Sequence, residues 1–179
     1  MPSPLFSTPM SNGASKTSPS CTVTAGSASR RSRRGFMPTL IKDGAVTTDG
    51  WSTGEKSLLA PDAWLEQATA GLLLQVDTEP DAAFVKAPLI AIEFPEFKDG
   101  RGLSLGALLR SRFGFTGDLR AVGDVHPDLA HYLIRCGFSS FVLPDGRDVA
   151  VALKGTTVYS HYYQGSVRDP QPLYRKTSR

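Results

Sequence analysis

The sequence predicts an α/β domain: a small, mainly parallel sheet of repeated βα units, about four strands in a half-barrel or open sheet, with an N-terminal hairpin. Three observations carry this. Strand-length apolar runs alternate with helix-period stripes from residue 72 to 143. Arg-x-Gly-Phe occurs twice, at 112–115 and 135–138, each time just ahead of a strand-like run. The chain of 179 residues, 40% hydrophobic, can bury one core and is short for two.

Residues 1–36 are rich in Ser, Thr, Gly and Pro and carry almost no periodic apolar residues, so they are expected to be a disordered basic extension. Ser32-Arg33-Arg34-Gly35-Phe36-Met37 has the form of a twin-arginine export motif, but the apolar run it needs breaks off after Leu40-Ile41. The stretch also has the acid-free composition of a transit peptide or a nucleic-acid contact. The plainer expectation is an upstream extension before a start at Met37. One domain is expected over 37–165, and a polar tail over 166–179.

Residues 39–41 and 45–47 flank Asp43-Gly44 as a hairpin, and Trp51 is expected to cap it against the domain. Asp62, after Pro61, opens a helix; 72–76 reads as a buried strand and 80–85 as a short helix. Residues 89–94, Leu-Ile-Ala-Ile-Glu-Phe, are apolar on both faces, as a central parallel strand is. Leu105, Leu108, Leu109 and Arg112 follow at i, i+3, i+4 and i+7, and their helix stops at Gly114-Phe115. After strand 119–122, Pro127 takes the first position of a helix with the stripe Leu129, Tyr132, Leu133 and Cys136. That helix stops at Gly137-Phe138, and strand 141–143 follows.

The net charge of +3 is lopsided. Of twenty basic residues, five lie in residues 1–36, where there is no acid; the other fifteen face seventeen acids in 37–179. A mildly acidic domain behind a basic tail argues against a nucleic-acid-reading surface. No apolar run reaches the length of a membrane span, so no membrane partner is expected and the expected compartment is the cytoplasm. The two cysteines, Cys21 and Cys136, cannot build a disulfide framework, a C-x-x-C pair or a four-thiolate metal site, so no metal and no cofactor is identifiable.

Parallel sheets carry their sites at the carboxyl ends of the strands, which here gathers the loops 95–102, 124–126 and 144–147. Gly100 and Gly102 flank Arg101 ahead of a helix that also holds Ser104, so backbone N–H groups, the helix dipole and a guanidinium can converge on a small oxyanion. Equally, the glycines can turn a corner while Arg101 pairs with Asp99 or Asp124. Asp124 and His126 are the candidate catalytic acid and base. Glu93 and Arg120 stand in adjacent expected strands and are read as a structural ion pair, with a catalytic carboxylate held by arginine as the alternative. Cys136 lies on an apolar stripe and is read as packing. Tyr159, His161, Tyr162 and Tyr163 form either a packed aromatic segment or a docking patch.

Glu93-Phe-Pro-x-Phe-x-Asp-Gly-Arg-Gly-x-Ser104, Leu109-Arg-x-Arg-x-Gly-Phe115, Gly117-Asp-Leu-Arg-Ala-Val-Gly-Asp-Val125 and Arg135-Cys-Gly-Phe138 together resemble a bacterial family of domains of unknown function. Its members are often encoded beside the haemoprotein sulfite reductase and labelled as oxidoreductases of sulfite reduction. The resemblance spans 37–164, and Met37-Pro-Thr-Leu-Ile41 is similar to the family's opening. It departs at Asp128-Leu129, where the family commonly has Asp-Gln. The resemblance implies an accessory protein of assimilatory sulfite reduction, an electron-delivery or assembly partner of the sulfite reductase haemoprotein or a handler of the sulfur oxyanion. The alternatives from the residues are an enzyme acting on a small anionic substrate at the strand ends, or a purely structural subunit.

Overall fold

The computed structural model describes residues 38–51 and 56–176. The expected extension over 1–36 and the start at Met37 lie outside the described residues. Strands β1 (Thr39–Lys42) and β2 (Ala45–Thr47) form the expected hairpin, closed by Asp43 and Gly44 with φ of 50° and 79°, the left-handed pair that suits a two-residue turn. β3 (Leu58–Leu59), helix α1 (Pro61–Glu66), β4 (Gly71–Gln75), a 3₁₀ turn (Ala82–Lys86) and β5 (Leu89–Phe94) follow. Then come α2 (Arg101–Ser111), β6 (Asp118–Gly123), a 3₁₀ turn (Pro127–Leu129), α3 (Ala130–Arg135), β7 (Ser140–Leu143), α4 (Val149–Thr156) and α5 (Leu173–Lys176).

The strands form a single sheet in the order β2-β1-β7-β6-β5-β4-β3, parallel from β3 to β7, with β1 antiparallel to β7. The α/β class and the mainly parallel pairing are as expected, but the sheet has seven strands. The larger count arises because the hairpin joins the sheet edge through β1 and because the two-residue β3, too short for a periodic signal, pairs with β4.

The register sorts the strand residues onto two faces. Ile41, Leu72, Leu74, Ile90, Ile92, Phe94, Leu119, Ala121, Phe141 and Leu143 share one face and one apolar core with Leu105 and Leu109 of α2, Leu133 of α3 and Ala152 of α4. The opposite face carries Gln75, Glu93, Arg120, Asp118, Ser140 and Lys42. One face is thus held by hydrophobic burial, and the other combines buried Leu40, Leu89 and Ala91 with a polar network.

The repeated stops behave as read. Gly114 and Gly137 adopt φ of 71° and 93°, and the N–H groups of Phe115 and Phe138 donate back to Leu109 O and Leu133 O, both at 3.0 Å. Arg110 of α2 joins the two repeats, donating to Gly137 O (2.8 Å) and Phe115 O (2.6 Å). Cys136 packs beside the core, and burial pushes its thiol up in pKa, against a smaller pull from the Arg135 charge.

Trp51 does not cap the hairpin. A Cβ on Gly71 would lie 2.8 Å from its ring and 2.6 Å from Leu58, which places Trp51 beside β3 and β4 at the other edge of the sheet. The cause is topological: the chain leaves β2 at one edge of the sheet and enters β3 at the other.

Candidate functional site at the strand ends

The loops after β5, β6 and β7 meet at the carboxyl end of the sheet, as expected for parallel strands. Asp124 follows β6, where Gly123 passes so close to Phe94 that a Cβ would stand 2.3 Å from its carbonyl oxygen. The Asp124 N–H donates to that same oxygen at 2.9 Å. The Asp124 carboxylate accepts from Phe97 N–H (3.2 Å) and from Arg147 Nη2 (3.1 Å). Arg147 Nη1 lies 2.5 Å from His126 Nε2, and the Phe97 ring stands 4.7 Å from the imidazole between centroids.

A guanidinium has only donors, so His126 Nε2 is the acceptor and the ring proton sits on Nδ1. That Nδ1 is buried 3.5 Å from the Asp128 carboxylate, without hydrogen-bond geometry. The structure therefore brings Asp124 and His126 together through Arg147, a residue sequence reading left out. Its signal was its place in the third strand-end loop, which the sequence did identify.

Arg101, Gly100, Gly102 and Ser104 take positions other than an open anion cradle. The Arg101 fork closes on Asp99, with Nε at 3.0 Å and Nη2 at 2.7 Å from its two carboxylate oxygens, and the Arg101 N–H donates to Asp99 Oδ1 at 3.1 Å. The hydrogen bonds and charge of Arg101 hold the Asp99 carboxyl below its ordinary pKa range. The chain's own carboxylate thus stands where an external anion was considered, the second of the two sequence readings. Gly102 is buried under Phe94, where a Cβ would come within 2.6 Å of the ring, so its small size serves packing. Nothing lies within 4 Å of a Cβ built on Gly100, and Ser104 is exposed on α2.

The expected Glu93–Arg120 pair is corrected. The two share a face, but register sets Arg120 opposite Ala91 and Glu93 opposite Val122, two residues further along. Arg120 instead binds Asp49 (Nη1–Oδ1 2.5 Å), Asp118 (Nη2–Oδ2 3.2 Å) and Ser140 (Nε–Oγ 3.1 Å). Asp118 also accepts from Ser139 and Ser140 and pairs with Lys42. Burial pushes the Asp118 carboxyl up in pKa, and the two hydroxyls with the charges of Arg120 and Lys42 outweigh it, leaving a net downward shift. Glu93 accepts from Gln75 Nε2 at 2.6 Å. Asp49 was missed because it lies in an aperiodic connection, where no local pattern announces a partner seventy-one residues away.

Among the described residues no group of three or more His, Cys, Asp or Glu side chains could hold a metal ion, and no helix is long and apolar enough to cross a membrane. Comparison with curated proteins and with solved structures gives no match. Residues 71–174, which run from β4 into α5, match the family described as a bacterial protein of unknown function (DUF934), and the chain belongs to that family.

Proposed function

We propose that this protein is an accessory protein of assimilatory sulfite reduction that acts by binding the sulfite reductase haemoprotein, as an electron-delivery or assembly partner. The pathway comes from the sequence resemblance. The observation that favours a binding role over turnover is that the charged groups at the strand ends are engaged by one another: Arg101 by Asp99, and Arg147 by Asp124 and His126. A substrate would have to displace these contacts.

A docking surface is available elsewhere. All five tyrosines lie between Tyr132 and Tyr174, and Tyr159, Tyr163 and Tyr174 are 57%, 78% and 59% exposed. Tyrosine and arginine together are the composition of interface anchors. Among the described residues, 150–176 hold four basic residues and one acid, so the surface suits an acidic face of the haemoprotein.

The test is a deletion strain grown on sulfite or on cysteine as sulfur source, together with capture of the haemoprotein by the tagged full chain. The reading requires auxotrophy relieved by cysteine and co-purification of the haemoprotein. Growth of the deletion strain on sulfite overturns it.

The convergence of Asp124, His126 and Arg147 favours a second reading, an enzyme acting on a small anionic substrate at the strand ends. Under that reading Arg147→Gln abolishes complementation while haemoprotein capture persists. Under the accessory reading it leaves complementation intact.

A further inference from the structure

Away from the strand ends, a cavity of about 410 Å³ lies where the C-terminal ends of α3 and α4 meet the segment 159–169. That size suits a small molecule. Arg135 and Arg168 both line it. Among the described residues neither guanidinium is paired with a carboxylate. The acid in the lining, Asp169, is already taken by Lys176.

Arg135 lies over Tyr162, its guanidinium carbon 4.5 Å from the ring centroid. Its Nη2 reaches Gln164 O at a long 3.5 Å, and its Nε is buried with no hydrogen-bond partner. Ser160 and Ser166 add hydroxyl donors to the wall.

We propose that this cavity binds a small molecule through a doubly charged oxyanion group of the phosphate-ester type, held between Arg135 and Arg168. Two unpaired cations match a dianion, and a planar guanidinium fork offers paired donors to its oxygens. The carboxyl ends of α3 and α4 oppose this, since a helix C-terminus carries partial negative charge. On α4 that opposition is reduced, because the hydroxyls of Thr156 and Thr157 donate to the carbonyls of Leu153 and Lys154. This cavity shares Tyr159 and Arg168 with the proposed docking surface, but its ligand is argued from its own lining and not from the role in sulfite reduction.

The test is calorimetric titration and thermal melting of the full chain with inorganic phosphate, sulfate or acetate, each against chloride at the same ionic strength. Phosphate and sulfate are expected to bind and to raise the melting temperature above the chloride control, and acetate to do neither. Arg168→Gln, at an exposed position, is expected to weaken phosphate binding about tenfold without changing the melting temperature of the ligand-free protein. Arg135→Lys, which keeps the charge and loses the fork, is expected to weaken it too. No shift beyond chloride, an acetate effect equal to that of phosphate, or unchanged binding in Arg168→Gln overturns the proposal.

Discussion

The guanidinium of Arg120, in the middle of the sheet, is held by the carboxylate of Asp49 from the connection between β2 and β3, with side-chain exposures of 4% and 7%. The contact joins the centre of β6 to a segment whose neighbouring strands lie at the two edges of the sheet. It fixes Asp49 on the face away from the helices, where Asp118, Ser139, Ser140 and Lys42 complete the network.

Breaking this network from its centre is expected to be expensive. Arg120→Ala leaves Asp49 and Asp118 without their shared cation and should cost about 3–5 kcal/mol. Glu93→Ala removes only a hydrogen bond with Gln75 and should cost about 1 kcal/mol. Urea unfolding of both variants checks the contrast, and similar costs would restore Glu93 to the network.

The same network sets a pH dependence. The Asp118 carboxyl is held below its ordinary value of 3.8 in the folded chain. A carboxyl lowered on folding adds stability above the unfolded value and loses it as pH falls through the folded one. The urea midpoint is therefore expected to be flat near neutrality as far as Asp118 governs it, and to fall as pH drops into and below the aspartate range. Asp118→Asn should be less stable at neutral pH and show a shallower acid decline.

Two glycines of α2 are expected to resist a methyl group. A Cβ at Gly102 would meet Phe94 at 2.6 Å and one at Gly106 would meet Phe138 at 2.4 Å, and the two rings stand 6.1 Å apart within the core. Alanine at either position should cost about 1–3 kcal/mol through overpacking, partly offset by its better helix propensity. Gly100→Ala meets nothing and should be neutral or slightly stabilising. Thermal melting of the three variants orders them.

Arg101→Lys separates a brace from a binding group. Lysine keeps the charge and loses the paired contact with Asp99. A small fall in melting temperature with normal complementation on sulfite is expected. Lost complementation at unchanged melting temperature would return Arg101 to a functional site.

The parallel core was legible because its signals are local. Gly-Phe stops, apolar stripes and the Asp-Gly turn are each set by residues within a few positions of one another. The polar network was not, because the sequence points Arg120 to Glu93 on the next strand, whereas its carboxylate partner Asp49 lies in the distant connection between β2 and β3. Charge pairing in a sheet depends on register, and register shifted Glu93 by one pleat. The edge strand β3 and helix α4 escaped for a related reason: two residues carry no period, and the run from Val149 to Leu153 shows no clear polar face. At the strand ends, Asp124 and His126 were read and Arg147 was not, although its loop was in view.

The pairing of β1 with β7 has a consequence for synthesis on the ribosome. The hairpin is made about a hundred residues before Ser140–Leu143, the strand it docks on, and Asp49 waits for Arg120 in the same way. The earliest strands to emerge are among the last to be fixed. Until then the nascent chain shows an unpaired β1 margin, the state in which a holding chaperone would meet this protein.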